Sequence, residues 1–317
     1  MPPGSDNDRT LSEIELPLPD ERKGKVRVSW ALSGDRRLFV TTDRLSAFDR
    51  ILACVPYKGQ VLNQLAWWWF DSTRSIVANH ALAIPDPNAL VATNVTILPV
   101  EMVVRGHITG VTGTSLWTMY ETGERHLYGH RLPDGLHKNE ALPTPIITPT
   151  TKAEIGTHDE PLSVHDVVSL GLVQATRWDE VCAAALALFE HGRAVAEKAG
   201  LILADTKYEF GIDADGQLLV ADEMHTPDSS RYWEASTYLD RLAAGEEPES
   251  LDKEPVRRAF AELGYRGDGN PPEVPDVVWE TTSARYVEAY ERITGHSFVP
   301  GVAPIADRIR ANLEGLS

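Results

Sequence analysis

Asp205-Thr-Lys-Tyr-Glu-Phe-Gly211, followed by Ala221-Asp-Glu-Met-His-Thr-Pro-Asp-Ser-Ser-Arg231, decides how this chain is read. Side chains of an extended strand alternate faces with period two, so Asp205, Lys207 and Glu209 share one face and Tyr208 and Phe210 the other. Between the two stretches lies Ile212-Asp-Ala-Asp-Gly-Gln217, where Asp215-Gly216 is a hairpin turn signal. A loop made of those two residues places Glu209 opposite Asp222. A four-residue loop shifts the register by two and keeps both carboxylates on one face. Like charges facing each other across a sheet cost up to about 1 kcal/mol. A divalent cation between them removes that penalty, and Mg2+ commonly takes one or two carboxylates plus phosphate oxygens. The plainer alternative is a solvated hairpin face. The polar run Pro227-Asp-Ser-Ser-Arg231, directly after the second strand, weighs against it.

Working outward, the flanking pattern is helix, strand, hairpin. Residues 178–199 read as a long helix with Gly200 placed to cap it, and 201–204 open the charged hairpin. This order predicts an α+β second domain. Upstream, from Lys25 to Val104, strands predominate. Residues 37–42 form one, and 95–104 form one or two, broken at Pro99. Residues 62–78 read as a helix with Leu62, Leu65, Trp69 and Ile76 along one side. Trp67, Trp68 and Trp69 cannot share that side, so one of them is expected to meet another domain or a partner subunit. The sequence leaves open whether the protein is a monomer or a homo-oligomer. Residues 106–160, rich in Gly, Thr and Pro, read as ligand-binding loops. A last helix spans 278–293. The expected division is a loose arm over 1–20, a β-rich domain over 21–104, an α+β domain over 105–245 and a helical segment over 246–317 that packs back on the body.

The size of 317 residues allows two domains or one large one. With 42% apolar and 24% charged residues the composition is that of an ordinary globular protein. A formal net charge of −17 argues against nucleic-acid partners and anionic membranes. It does not prevent a cationic cleft from holding anionic ligands. Cys54 and Cys182 match no metal motif and read as buried free thiols in a reducing compartment. Residues 1–9 have no apolar core segment and do not read as a signal peptide, and no apolar run is long enough to span a membrane. The expected location is the cytoplasm.

Several other segments carry groups suited to anions. Gly24-Lys-Val-Arg27 points Lys25 and Arg27 the same way from a strand beside a glycine, without forming a Walker A loop. Asp43-Arg-Leu-Ser-Ala-Phe-Asp49 gathers a hydroxyl, carboxylates and an Arg, and in isolation reads as a turn followed by a helix cap. Val103-Val-Arg-Gly106 ends an apolar strand on Arg105, which suits a rigidly held guanidinium binding phosphate or carboxylate. Residues 148–154 and His158-Asp-Glu160 add Lys152 and further acids, with His158 read as a structural hydrogen-bonding residue. Together these segments imply a cleft with several cations and a carboxylate cluster. That is what a nucleoside triphosphate with Mg2+ and a second anionic substrate require.

In their order along the chain, these segments resemble the phosphoribosylaminoimidazole-succinocarboxamide synthase (SAICAR synthetase) family of purine biosynthesis. The matching pieces are Gly24 to Arg27, Thr42 to Asp49, Lys58-Gly-Gln-Val-Leu-Asn-Gln64, Val103 to Gly106, Leu142 to Glu154, His158 to Glu160, Asp205 to Gly211 and Asp222 to Trp233. The resemblance implies an N-terminal, mainly antiparallel β ATP-binding domain, a larger α/β domain and a C-terminal helical segment. It implies an ATP-dependent C–N ligase joining carboxyaminoimidazole ribonucleotide (CAIR) to L-aspartate, giving SAICAR, ADP and phosphate. By the same resemblance Lys25, Arg27 and Lys152 would meet ATP phosphates, and Glu101 and Val103 would offer backbone groups to adenine. Asp159, Glu209 and Asp222 would hold Mg2+. Arg105, Ser46, Asp49, Ser230 and Arg231 would bind the ribonucleotide. Asp205 and Lys207 would sit beside the reacting carboxylate and amine, with Asp205 a candidate proton acceptor. Three positions depart from the family pattern: Val28 replaces Asp, Val111 replaces a phosphate-binding Ser, and Ser250-Leu-Asp-Lys-Glu254 replaces Ser-Phe-Asp-Lys-Gln. Either Thr112, Thr114 or Ser115 substitutes for the missing hydroxyl, or the phosphate contact is weaker than in the family. A phosphotransferase using the same ATP site and a noncatalytic nucleotide-binding protein are the competing readings.

Overall fold

A computed structural model describes residues 9–48, 50–111, 115–152, 160–265, 267 and 269–316. The chain begins with β1 (Arg22–Lys23), β2 (Arg27–Leu32) and β3 (Arg36–Thr41), then the hairpin β4 (Arg44–Ala47) and β5 (Arg50–Cys54). Helix α1 (Lys58–Ser72) precedes β6 (Ala81–Asp86) and β7 (Ala89–Thr93). Strands β1-β2-β3-β7-β6, in that order, form an antiparallel sheet. Alternation along β2 and β3 turns Val28, Trp30, Leu32, Leu38 and Val40 to one face. Leu11 and Ile14 of the N-terminal arm cover that face, so the described part of the arm is pinned rather than loose. Asp43 ties the arm down: its carboxylate accepts from Leu11 N at 2.6 Å and from Gly59 N at 2.7 Å. Residue 59 must be glycine, since a Cβ there would lie 2.4 Å from the Thr41 carbonyl oxygen. The segment expected to cap a helix is the β4–β5 hairpin instead.

Helix α1 starts four residues earlier than its apolar stripe predicts and ends where the Thr73 hydroxyl bonds to the Trp69 carbonyl at 2.7 Å. Trp69 is fully buried, with its ring 4.5 Å from that of His225. Trp67 and Trp68 pack half-buried on the same core.

The chain continues through β8 (Thr96–Ile97) and β9 (Val100–His107), so the expected boundary at 104/105 falls inside a strand. Next come α2 (Leu116–Glu121), β10 (His126–Leu127), β11 (His130–Arg131), β12 (Ala141–Ile147) and β13 (Thr150–Thr151). Much of this stretch, expected as ligand-binding loops, closes on an apolar cluster of its own that includes Ile108, Leu116, Tyr120, Leu127 and Ile146. Helices α3 (Val164–Ser169) and α4 (Ala175–Lys198) lead to β14 (Leu201–Ile212). Trp178, Val181, Ala185, Leu188 and Phe189 recur at helical spacing and form the buried face of α4 beneath the second sheet. The αL conformation of Gly200, φ 71°, turns the chain from helix into strand.

β14 is the spine of the second sheet. β8 and β9 run along one edge; β15 (Leu218–Ala221) and β16 (Ser230–Glu234) run along the other as an interrupted strand. The interruption, residues 222–229, leaves the edge beside Lys207 and Tyr208. Helices α5 (Ala235–Ala244), α6 (Glu254–Glu262), α7 (Asp276–Thr294) and α8 (Ile305–Asn312) complete the chain. α7 packs on α1, and α8 lays Ile305 and Ile309 on the outer face of the first sheet. Arg308 fixes α8 to Asp86 of β6 at 2.9 Å. The architecture is α+β, as the sequence predicts, and no helix among the described residues is long and apolar enough to cross a membrane.

Candidate active site

The cleft lies between the first sheet and the β14 spine, with a volume of about 430 Å³. Its walls carry Lys25, Arg27, Arg105, Lys207, Arg231, Lys253 and Arg257 against Glu101, Asp205, Asp222, Glu223, Asp228 and Asp252. Cations are therefore in slight excess here in a chain of net charge −17. Sequence-predicted Lys25, Arg27, Ser46, Glu101, Val103, Arg105, Asp205, Lys207, Asp222, Ser230 and Arg231 all line it. Asp49 and Asp159 lie outside the described residues.

Strand register assembles one end. Asp205 stands opposite Arg105 of β9 on one side and Arg231 of β16 on the other. Its Oδ2 accepts from Arg105 at 2.9 Å and from Arg231 at 2.5 Å. Arg105 also donates to Thr148 Oγ1 at 2.9 Å, and Arg231 lies 3.4 Å from Glu254, which Arg257 contacts at 3.0 Å. Burial works against the Glu254 charge, but Arg231 and Arg257 outweigh it and pull its pKa down to about 2. Asp205 Oδ2 is thus shared by two guanidinium groups and aligns them. The Thr206 and Ser230 hydroxyls meet at 2.8 Å and brace the same row.

Two residues along β14, the Lys207 ammonium reaches Glu101 at 2.7 Å and Glu209 at 3.3 Å. Burial opposes its charge, but Glu209, Glu101 and Asp222 together raise its pKa. Lys152, itself outside the cleft wall, pairs with Glu209. Arg27 reaches across from β2 to contact Asp222, and Glu223 at 2.5 Å. Burial raises both acids; Arg27 and the two lysines bring Asp222 below the ordinary value, while Asp222 and Asp228 help hold Glu223 above it.

The hairpin differs from the expected register by one residue. Its loop is 213–217, held by Asp213 Oδ1 accepting from Asp215 N and Gln217 N, and Glu209 pairs with Ala221, not Asp222. Such a slip ordinarily sends a side chain to the other face. Asp222 avoids this because it stands just past β15 with φ 63°, in the left-handed region, which re-aims its carboxylate into the cleft. Glu209 and Asp222 are therefore neighbours through Lys207 and Lys152 rather than opposed on the ladder. Among the described residues no three acids, His or Cys converge as a ready-made metal cage. Asp222 lines the cleft and Glu209, paired with Lys207 and Lys152, does not; their two carboxylates still match the oxygen donors Mg2+ takes when substrate supplies the remaining ligands.

The sequence reading did not single out Glu223, Asp228, Lys253 or Arg257 as site residues. Asp228 stands inside the quoted Pro227 to Arg231 run, and its depth in the site depends on partners far away in sequence. Lys58 of α1 lies 2.8 Å from its Oδ2, and Tyr286 of α7 donates to its Oδ1 at 2.7 Å. Lys253 is half-buried, and desolvation brings its pKa down to about 8 against the pull of Asp228. The departures from the family pattern also find places. Val28 faces the apolar cluster behind the first sheet, away from Arg27 and the cleft. Val111 borders a small hollow beside Arg231 and Arg258. The Ser115 hydroxyl caps α2 by accepting from Thr118 N, and Thr112 and Thr114 lie outside the described residues.

Residues 21–273 match the family model described as SAICAR synthetase. The chain is 52% identical over 310 residues to phosphoribosylaminoimidazole-succinocarboxamide synthase of Legionella pneumophila (strain Lens), covering 96% of this chain and 97% of that one. SAICAR synthase from Saccharomyces cerevisiae, complexed with SAICAR, superposes with a TM-score of 0.77 at 31% identity, covering 91% of this chain and 99% of the other. A SAICAR synthetase (Type-2) in complex with ADP superposes with a TM-score of 0.68 at 25% identity, covering 89% and 100%. A near full-length match at this identity, on a cleft of this composition, means that the chain belongs to the SAICAR synthetase family.

Proposed function

We propose that this cleft condenses CAIR with L-aspartate at the expense of ATP, giving SAICAR, ADP and phosphate in purine biosynthesis. The observation that carries the reading is the row Arg105–Asp205–Arg231 one step along β14 from the cluster Lys207, Glu101, Glu209. One strand thus joins a site for an anion to a site for a metal-bound triphosphate. The ADP-bound and SAICAR-bound relatives support the same two ligands.

A carboxylate resists attack because it is negative and resonance-stabilised. A CAIR carboxylate oxygen bonding to the γ-phosphorus, with ADP leaving, turns it into an acyl phosphate or a transition state close to one. The aspartate amine then bonds to the acyl carbon, phosphate departs and the amine loses its proton. Lys25, Arg27 and Lys152 bind the ATP phosphates in this scheme, and the β9 backbone at Glu101 and Val103 meets adenine. The Glu101 side chain itself is taken by Lys207. Arg105, Ser46, Asp49, Ser230 and Arg231 hold the ribonucleotide. Lys207 offsets charge at the reacting carboxylate, and Asp205 holds the two guanidinium groups in register beside it. Glu209 and Asp222, with Asp159, are the residues suited to Mg2+, which would neutralise phosphate charge. Cys54 and Cys182, both half-buried, are not joined in a disulfide, which supports a reducing, cytoplasmic setting.

The test is ADP release from Mg-ATP and CAIR with and without L-aspartate, following SAICAR by absorbance. ADP and SAICAR rising together only with aspartate is the expected result. ADP without SAICAR would replace the ligase with a phosphotransferase or hydrolase.

A further inference from the structure

The excursion 222–229 is anchored at both ends. Near its start, the His225 ring is wedged between Trp69 and Tyr208, against Gly192, where a Cβ would lie 2.5 Å from the imidazole. At its far end the anchor is Asp228, whose two carboxylate oxygens are held from two different helices. Lys58, the first residue of α1, is fully buried and sits 2.8 Å from Oδ2. Tyr286, fully buried in α7, donates to Oδ1 at 2.7 Å. α7 lies beyond residue 273, where the family match ends. Asp228 is followed at once by Ser229, Ser230 and Arg231, all on the cleft wall. A carboxylate hydrogen-bonded by Tyr286 at one oxygen and ion-paired with Lys58 at the other is restricted in rotamer, and so is the backbone that follows it.

We propose that Tyr286 is a positioning residue for the ribonucleotide half of the site, acting through Asp228 to set the Ser229–Arg231 backbone and hence the Arg231 guanidinium. The inference rests on the assignment of Arg231 to that substrate. The ATP half has contacts of its own, Arg27 on Asp222 and Glu223 and the seated His225 ring, and the charge that Asp228 exerts on Glu223 is kept in Tyr286→Phe.

The experiment measures KM for CAIR and for ATP, together with Tm, in the full chain carrying Tyr286→Phe. This variant keeps the ring and removes the hydroxyl. Ser283→Ala is the control: it deletes a hydroxyl of the same helix that bonds to the Pro56 carbonyl at 2.6 Å and does not touch Asp228. The expected result is a CAIR KM raised about tenfold, the scale of one lost hydrogen bond to a charged group, with the ATP KM within about twofold. Ser283→Ala is expected to lower Tm while leaving both KM values in place. Unchanged KM values in folded Tyr286→Phe would overturn the proposal. So would KM values that rise together in step with a Tm loss. A Tyr286→Phe chain that does not fold would overturn it too, since the hydroxyl would then serve the fold rather than the site. Absence of SAICAR from the unaltered protein would instead strike the ligase assignment itself.

Discussion

The two guanidinium centres of the cleft are wired in opposite senses. At one, a single carboxylate, Asp205, serves two guanidinium groups, and the outer ring of Glu254 and Arg257 leaves three cations against two acids. At the other, one guanidinium, Arg27, serves two carboxylates. With Lys207 and Lys152 against Glu101 and Glu209, three cations face four acids. Among these ion-paired groups the first centre is short of an anion and the second is short of a cation. A free phosphate suits the one, and a triphosphate carrying its own divalent metal suits the other. The net charge of the chain says nothing about either, because the distinction is made by which carboxylates the fold places within reach of which cations.

The largest effect should come from breaking the acid-rich centre. Glu209→Ala is expected to cut kcat at least about 100-fold while Tm shifts by only a few degrees. Near-normal turnover would remove Glu209 from the metal assignment. At the cation-rich centre, Arg231→Ala should raise the CAIR KM by roughly 10- to 100-fold, the worth of a charge-assisted bond. The ATP KM should change little, and equal rises in both would erase the division between the halves.

Stability against pH distinguishes the centres by sign. Glu254 keeps its charge to about 2 when folded, whereas unfolded it titrates near 4.5. Its contribution is therefore complete above 4.5 and is lost as pH falls through about 2. Glu223 is shifted the other way by burial, so it takes up a proton while the unfolded chain is still ionised, and burying it costs stability at higher pH. Urea unfolding should show Glu254→Gln destabilised by about 1–3 kcal/mol near neutral pH, and Glu223→Gln stabilised. The Glu254→Gln difference should shrink as pH falls from 4.5 towards about 2, whereas the Glu223→Gln difference, whose window lies above the ordinary glutamate value, should already be gone by 4.5. Two variants shifting in the same direction would mean that the centres are not oppositely charged. The smallest effect is expected from Val111→Ser. A hydroxyl restored beside Arg231 should lower the CAIR KM by about two- to fivefold. An unchanged value would mean that the hollow at Val111 lies off the phosphate path.

The strand that carries the chemistry was legible in the sequence. Asp205, Lys207 and Glu209 stand at period two in a run long enough to be a spine, and α4 announces its buried face at helical spacing. The register of the hairpin was not legible to one residue, because an Asx-held loop at 213–217 reads much like a two-residue Asp-Gly turn. That error was masked by Asp222, whose left-handed backbone returns its side chain to the expected place. Local signals also missed a small core: the Gly-, Thr- and Pro-rich stretch read as ligand-binding loops packs Leu116, Tyr120 and Leu127 together. Asp228 shows the other limit. No local pattern announces that Lys58 and Tyr286 will meet on one carboxylate, since that depends on how α1 and α7 pack.

One consequence concerns the order in which the protein is made. The outer face of the first sheet, with Val28, Trp30, Leu38 and Val40, is covered in part by Ile305 and Ile309 of α8. Synthesis runs from the N-terminus, so this sheet leaves the ribosome among the earliest elements and waits for nearly the whole chain before its cover arrives. The half of the molecule proposed to receive ATP is thus begun first and finished last. A nascent chain stalled before residue 305 would present an uncovered apolar β surface, the kind of surface that chaperones shield.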